Sequence, residues 1–373
     1  TPIASSAASD VYKRQMLIYA LLHLTGYADM TMDQLRNFRQ LGAITAGHPE
    51  AGHAGGIETT TGPLGQGIAN AVGMAMAEHH LAAKFGRDLV DHFTYVIAGD
   101  GCLMEGVSHE AASMAGHMGL SRLIVLFDDN GISIDGSTDL AVSEDTTARF
   151  EAYGWQVLAV DGHDMDAVSA AIAEARADTA RPSLIRCRTV IGYGAPKKAG
   201  TAGAHGAPLG AEEIEGTRAA ICWSHAPFEI PAEISDAWRA VGSRGSAARE
   251  AWQLRHDAAD TAAFDAAMKG DFNAAIDKAV GAWKQSLSAE PQKLATRVAS
   301  QKAIEAILPA CPSLIGGSAD LTGSNNTRVG GQYSYARDSA AGSYVHYGVR
   351  EHGMAAAMNG IALHGGAIPY GGT

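Results

Sequence analysis

The sequence predicts an α/β fold in which helices doubly wind a parallel sheet, followed by an incomplete second α/β domain. Short apolar runs typical of buried strands alternate with longer segments of helical periodicity, and this alternation is typical of parallel sheets. The runs interpreted as strands are Phe93–Ala98, Leu123–Phe127, Trp155–Val160 and Ser183–Val190. The first two lead into turns rich in Asp, Asn and Gly, and such turns lie at the ligand-binding carboxyl edge of an open parallel sheet.

The region before the first strand is expected to contain three helices and one long loop. Residues 1–15 are interpreted as an atypical tail, either disordered or foreign to the protein. Met16–Tyr27 is an apolar helical stretch, Thr31–Arg39 begins with a residue that can cap a helix, and Gln66–Phe85 has apolar residues at helical spacing. The Gly- and His-rich segment 42–67 has no periodicity, and so long a loop inside a compact region is usually functional.

Two turns at predicted strand ends carry candidate metal ligands. Gly99-Asp100-Gly101 follows the first strand, and Asp128-Asp129-Asn130 follows the second. Carboxylate and amide oxygens placed side by side form the kind of site that Mg²⁺ prefers, especially when phosphate oxygens complete its coordination. The glycines would let a diphosphate approach the backbone closely. The alternative is that these are ordinary turn residues, since Asp, Asn and Gly all favour turns.

The remaining chain divides into a helical connector and a second α/β unit. Helical patterns over His109–His117 and Met165–Ala177 complete the first unit, and residues 211–290 show helices with no clear strand. The α/β pattern resumes near Leu294. The elements predicted there are the helix Gln301–Ile307 and the strands Ser313–Gly316 and Tyr344–Tyr347.

Composition restricts the classes of function. The net charge of −12 argues against a nucleic-acid partner, because binding to polyanions relies on basic patches. A small anionic substrate would need a local Arg or His site. The four cysteines are scattered without metal-ligand spacing, which is typical of reduced thiols in a cytoplasmic protein. No apolar run reaches the length of a membrane span, so no membrane partner is expected.

Several segments together resemble the transketolase family, whose members use thiamine diphosphate. The segments that carry the resemblance are Gly47–Glu50, Glu58–Gly67, Gly99–Gly106, His205–Gly210, Gly317–Leu321 and His346–Gly353. The resemblance runs from Met16 to the end of the chain and implies a fragment truncated at both ends. It implies a diphosphate-binding domain over 16–262, a helical linker over 263–293 and part of a pyrimidine-binding domain over 294–373.

The resemblance also implies an activity, its cofactors and its partners. The expected reaction transfers a two-carbon ketol unit from a ketose phosphate to an aldose phosphate, as in the pentose phosphate pathway. The expected cofactors are thiamine diphosphate and Mg²⁺, or another divalent cation such as Ca²⁺ or Mn²⁺. The expected assembly is a cytoplasmic homodimer with the active site at the subunit interface. The alternatives are another thiamine-diphosphate enzyme, such as deoxyxylulose-phosphate synthase or a 2-oxo-acid dehydrogenase component, and an inactive fragment.

Residues that would hold the cofactor follow from the same resemblance. Asp100, Asn130 and the backbone carbonyl of Ile132 would bind the metal. The cofactor contacts would come from Gly62, Leu64, Gly101, Glu105, Asn130 and Ile191. Taken alone, Ile191 is equally well the end of a core strand. Glu105, which resembles an acid coupling the two sites of the dimer, is equally well the first residue of a helix near its positive end.

Three residues are implied in proton transfer. Glu351 would act on the pyrimidine ring of cofactor held by the other subunit, and this role needs a carboxyl group with a raised pKa. Its alternative is a surface Glu paired with Arg350. His48 and His205 lie in Gly- and Pro-rich loops and would bind substrate hydroxyls and assist proton transfer near neutral pH. A metal site at His48 and His53 is a weaker alternative.

The sugar phosphate is expected to contact two further residues. Arg297 and Ser324 resemble the phosphate contacts of the family, and an Arg fork suits a phosphate monoester. Taken alone, Arg297 is better interpreted as a solvated surface residue.

Overall fold

The computed structural model describes residues 15–373. The predicted tail therefore lies outside the described residues, except for Gln15, which begins the first helix. The first unit of the fold extends to the end of the fourth strand. Its elements are α1 (Gln15–Thr25), α2 (Met32–Arg36), α3 (Gln66–Phe85), β1 (Thr94–Gly99), α4 (Asp100–Met104), α5 (Gly106–Met118), β2 (Leu123–Asp129), α6 (Thr146–Ala152), β3 (Gln156–Asp161), α7 (Met165–Ala177) and β4 (Ser183–Arg188).

The four strands of the first unit form one parallel sheet in the order β1-β2-β4-β3. Successive residues of a strand point to opposite faces of the sheet. Val125 of β2 accordingly packs in the core formed with α3 and α5, while Ile124 packs in the core formed with α7. Helices thus cover both faces, which confirms the predicted doubly wound parallel sheet.

A helical connector and a smaller parallel sheet follow. The connector, predicted over 211–290, contains helices and no strand within that described range. The connector helices are α8 (Ala211–Ala220), α9 (Ala232–Ser243), α10 (Gly245–Ala258), α11 (Ala262–Lys269) and α12 (Asn273–Ala289). The second unit contains α13 (Thr296–Ile307), β5 (Leu314–Ser318), α14 (Thr322–Asn325), β6 (Tyr344–His346), α15 (Glu351–His364) and β7 (Ile368–Pro369). Its strands are parallel and have the order β6-β5-β7.

Helix α3 joins the two units. Its bounds agree with the prediction, but it is buried on nearly all sides rather than on one face. The second face is covered by α15, which crosses α3 where Gly73 and Gly360 let the two backbones approach closely. Although α3 has 20 residues, neither it nor any other described helix is long and apolar enough to cross a membrane.

Most of the predicted bounds differ from the structure by one to three residues, and the following three differences concern the site or are among the largest. Helix α2 ends at Arg36 rather than Arg39, because the backbone of Arg39 turns to hydrogen-bond with Thr45. Gly99-Asp100-Gly101 is a strand end followed directly by the short helix α4, whose first residue is Asp100. A carboxylate in the first helical turn interacts favourably with the helix dipole, which stabilises this start. Helix α13 begins at Thr296, five residues before Gln301, the predicted first residue.

Candidate functional site

A large cleft lies at the carboxyl edge of β1, β2 and β4, and we call it the main cleft. Its volume is about 1230 Å³. Gly99 of β1 pairs in register with Asp128 of β2, so the two predicted turns are neighbours. The predicted residues that line the main cleft are His48, Gly62, Leu64, Asp100, Gly101, Glu105, Asn130, Ile132, Ile191 and His205.

Asp100 is the residue of the main cleft whose surroundings best fit a bound cation. Its Oδ2 atom is buried and has no hydrogen-bond partner. Burial and, secondarily, the nearby Asp129 carboxylate raise the pKa of Asp100, while the backbone amides of Asn130 and Gly131 oppose this change. A buried carboxylate oxygen without a partner is costly unless a cation compensates it. The residue therefore fits a divalent cation bound beside the diphosphate of a cofactor.

Asn130 is held in place by its neighbours. Its Nδ2 donates to Asp128 Oδ2 at 3.2 Å, and its Oδ1 accepts from the Ile132 amide at 3.0 Å. An amide oxygen has two lone pairs, so Oδ1 keeps one for a metal ion. Within residues 15–373, no group of three His, Cys, Asp or Glu side chains is placed to hold a metal. A cation in the main cleft would therefore depend on backbone and ligand oxygens as well.

Asp129 belongs to the supporting structure rather than to the cation site. Its carboxylate is almost fully buried and accepts from Arg186 Nε at 2.6 Å and from Arg188 Nη1 at 3.0 Å. Local sequence patterns do not predict this network. The available signal is that two arginines alternate along β4, which places both on one face, and the register then pairs Arg188 with Asp129.

Both predicted histidines contact the main cleft, and one depends on a neighbouring glycine. Gly62 has φ of +146°, and a Cβ atom there would lie 2.8 Å from Cγ of His48. A side chain at position 62 would therefore displace the imidazole. His53 lies outside the cleft-lining set and pairs with Glu50 at 3.3 Å. These positions give no support to the alternative metal site at His48 and His53.

Three predicted residues lie away from the main cleft of their own chain. Glu351 is the exposed first residue of α15, Arg297 is exposed on α13, and Ser324 is exposed on α14. Arg350 does not pair with Glu351, as the alternative interpretation required. It donates instead to the Tyr347 carbonyl at 2.9 Å and to Ser113 Oγ at 3.1 Å.

The start of α15 is held in place by contacts that the sequence does not predict. Glu110 Oε2 of α5 accepts from the Gly353 amide at 2.6 Å, one of the amides of the first turn that have no partner within the helix. Gln66 Nε2 of α3 lies 2.6 Å from His352 Nε2. These contacts hold the first turn of α15, and with it Glu351, in a fixed position relative to the first unit.

The loop before α3 also carries a buried acid, which leads to a pH prediction. Burial raises the pKa of Glu58 to about 7. The folded state therefore binds this proton more tightly than the unfolded state, whose Glu pKa is near 4.3, and stability falls as pH rises between these two values. We expect Glu58→Gln to raise the free energy of unfolding by roughly 3 kcal/mol at pH 8 and by almost nothing at pH 4.

Urea unfolding of both proteins at the two pH values measures this difference. Glu174→Gln, at an exposed position on α7, is the matched control and should change stability at neither pH. An equal effect of Glu58→Gln at pH 4 and pH 8 would contradict the prediction.

The fold and the main cleft define a class of protein: an α/β protein with a cleft at the carboxyl edge of a parallel sheet, where such folds bind ligands. Residues 12–281 match the family model described as transketolase, thiamine diphosphate binding domain. Residues 292–373 match the model described as transketolase, pyrimidine binding domain. The chain belongs to the transketolase family.

Individual relatives agree with the family match. The chain is 62% identical over 359 residues to the transketolase of Cereibacter sphaeroides, covering 96% of this chain and 54% of that protein. It is 53% identical over 368 residues to transketolase 1 of Escherichia coli K12, covering 96% of this chain and 55% of that protein. The chain thus spans about half the length of the curated relatives that it matches.

Solved structures give the same result. The transketolase of Leishmania mexicana superposes with a TM-score of 0.88 at 43% identity, covering 96% of this chain and 54% of that one. The transketolase of Campylobacter jejuni superposes with a TM-score of 0.87 at 36% identity, with the same coverage. The predicted α/β fold, with a thiamine-diphosphate-binding domain and part of a pyrimidine-binding domain, is confirmed.

Proposed function

We propose that this chain supplies the cofactor-binding part of a transketolase, which transfers a two-carbon ketol unit from a ketose phosphate to an aldose phosphate. The observation that carries the proposal is the main cleft, where Asp100, Asn130, His48 and His205 line one cavity and Asp100 presents an unpartnered oxygen. A transketolase of Pichia stipitis, solved in complex with sedoheptulose 7-phosphate, is 41% identical to this chain. That complex supports sugar phosphates as the substrate class.

The cofactor would be held at the turns after β1 and β2. Asp100, the Asn130 side chain and the Ile132 carbonyl would bind Mg²⁺, or Ca²⁺ or Mn²⁺ in its place, and Gly101 would offer its amide to the diphosphate. Thiamine diphosphate, when bound, supplies a nucleophilic carbon and an electron sink for cleaving and forming bonds beside a carbonyl group. A Cβ atom at Gly101 would lie 3.2 Å from Leu64, which supports close contact at this position.

The other cofactor contacts would surround the organic part of the molecule. Gly62 and Leu64 would present backbone groups to the pyrimidine ring, and Ile191 would pack against the thiazolium ring. Ile191 is buried but lines the main cleft, so it can contact a ligand without moving. Glu105 precedes α5 and also lines the cleft, and we assign it the coupling of the two sites of a dimer.

His48 and His205 would bind the hydroxyl groups of the sugar and accept or donate protons near neutral pH. Both imidazoles line the main cleft, and Gly62 leaves room for that of His48. Orientation of the substrate by such contacts lowers the entropic part of the barrier.

A homodimer accounts for the residues outside the main cleft. Glu351, Arg297 and Ser324 are exposed and lie away from the cleft of their own chain. In the proposed cytoplasmic dimer, Glu351 would hydrogen-bond the pyrimidine of cofactor held by the partner, and Arg297 and Ser324 would bind the phosphate of the sugar. The site is incomplete without the second copy.

Isothermal titration with thiamine diphosphate, in the presence and absence of Mg²⁺, tests the proposal on this chain. We expect saturable binding that requires the metal. An assay with xylulose 5-phosphate and ribose 5-phosphate then tests ketol transfer. Metal-independent binding would contradict the assigned cation site. Absence of any binding would favour the alternative that the chain alone is inactive.

A second thiamine-diphosphate activity is distinguished by its substrate. Turnover of pyruvate in place of ketol transfer would favour a relative such as deoxyxylulose-phosphate synthase or a 2-oxo-acid dehydrogenase component. The loop Glu58–Gly67 favours transketolase, because it carries the family resemblance and places Gly62 and Leu64 on the main cleft.

A further inference from the structure

A second cavity, separate from the main cleft, lies between α3, the connector helices α10 and α11, and the end of α15; we call it the α3 cavity. Its volume is about 710 Å³, within the range of small-molecule sites. It shares no lining residue with the main cleft. Met74 and Leu81 of α3 both line it. These residues are two helical turns apart, so the cavity extends about 10 Å along the helix.

The walls of the α3 cavity are largely apolar. Leu81, Leu89, Val90 and Phe264 form a buried cluster on one side. Leu363 is 43% exposed and lies at the open side. Such walls would hold the hydrocarbon part of a ligand.

One polar feature of the cavity is a histidine pair whose hydrogen positions can be deduced. His364 Nδ1 lies 2.9 Å from the Gly365 carbonyl, which only accepts, so this nitrogen carries the proton. In the neutral ring, His364 Nε2 is then an acceptor, and His92 Nε2 at 2.7 Å must donate to it. His92 Nδ1 is therefore left with a lone pair. His92 is only 8% exposed, and Nδ1 is buried without a partner.

The second polar feature is Glu58. Its Oε2 atom is buried and accepts no hydrogen bond in the described part of the chain. The other charged residues around the cavity already have partners. Asp265 accepts from Thr261 Oγ1 at 2.8 Å and contacts His256, and Arg249 stacks on Trp252.

We propose that the α3 cavity binds an elongated amphipathic amine, with its ammonium group on Glu58, its hydrocarbon chain along α3 and a hydroxyl or amide donor on His92. A ligand of this class would donate a hydrogen bond to each of the two buried acceptors. A buried acceptor without a donor costs free energy, so these two hydrogen bonds would favour binding. The ammonium also compensates the charge of the Glu58 carboxylate, and burial of the chain supplies the remaining affinity.

Calorimetric titration of this chain at pH 8 with 6-aminohexan-1-ol tests the proposal. We expect saturable binding of one molecule per chain. Hexane-1,6-diol lacks the charge, and hexan-1-amine lacks the second donor, so both should bind more weakly. Glu58→Gln should weaken the aminoalcohol roughly tenfold or more, because it removes a charge-assisted hydrogen bond, and should leave the diol unchanged.

Leu363→Trp provides a second variant that does not alter the buried acceptors. The larger ring fills the open side of the α3 cavity and should abolish binding, whereas Leu254→Trp should have no effect because Leu254 is 72% exposed on α10 and does not line the cavity. No saturable binding, or binding that neither Glu58→Gln nor Leu363→Trp weakens, would overturn the proposal.

Discussion

Replacing Asp100 with alanine is expected to weaken the combined binding of thiamine diphosphate and Mg²⁺ by roughly 100-fold or more. Mutation of a residue that only supports a metal ligand already lowers metal affinity by about 10- to 100-fold, and loss of the ligand itself should have a larger effect. Asp100 contributes the buried, unpartnered carboxylate oxygen of the main cleft. Its removal leaves the Asn130 amide and the Ile132 carbonyl without a formal negative charge to balance the cation. Calorimetric titration of the cofactor at fixed Mg²⁺ measures the change.

The dependence of cofactor binding on Mg²⁺ distinguishes loss of a metal ligand from a general loss of folded structure. In Asp100→Ala, any residual cofactor binding should no longer increase when Mg²⁺ is added, whereas binding to the unaltered chain should. Asp33→Ala is the matched control: the Asp33 side chain is 82% exposed and pairs with Arg36 on the same helix, so cofactor binding should not change. Unchanged, metal-dependent binding by Asp100→Ala would remove Asp100 from the cation site.

The sequence predicts those parts of the fold that depend on local patterns of apolar and turn residues. Helices α3 and α7 have the predicted bounds because apolar residues recur at helical spacing between clear ends. In the first unit, β1 and β2 are apolar runs that end in turn residues, and β2 is buried on both faces, as the interior of a parallel sheet requires. The neighbouring positions of Asp100 and Asn130 follow from that pattern alone.

The features that the sequence does not predict depend on contacts between distant segments. Helix α3 shows one apolar face locally, yet α15 buries the opposite face from more than 280 residues further along the chain. The α3 cavity likewise combines the loop before α3, the connector and the end of α15. No local pattern indicates such combinations.

The same distinction between local patterns and contacts between distant segments applies to the candidate site. Asp100, Asn130 and His48 could be singled out because each lies in a short sequence motif, namely Gly99–Gly101, Asp128–Asn130 or Gly47–Glu50. The support of Asp129 by Arg186 and Arg188 depends on strand order and register, which place β4 beside β2. The role of Glu110 is not predictable from local pattern, because its partner, the Gly353 amide, belongs to the second unit.

Alanine at Gly360 is expected to lower the free energy of unfolding by about 3 kcal/mol, the upper part of the range for overpacked cores. A Cβ atom at this position of α15 would overlap the Asn70 carbonyl oxygen of α3, and one at Gly73 would overlap the Ala357 carbonyl oxygen. Because the obstacle in each case is backbone, the two helices must move apart rather than repack a side chain. The contact between the first and second units should therefore loosen.

Urea unfolding and limited proteolysis measure this effect. Gly360→Ala and Gly73→Ala should both unfold at lower urea, and protease should cleave between the two units sooner than in the unaltered chain. The control is Gly281→Ala on α12, where a Cβ atom would meet nothing within 4 Å. There the change should raise stability by roughly 0.5–1 kcal/mol, because alanine favours a helix interior. If Gly360→Ala behaved like Gly281→Ala, the α3–α15 crossing would not be the close backbone contact that joins the units.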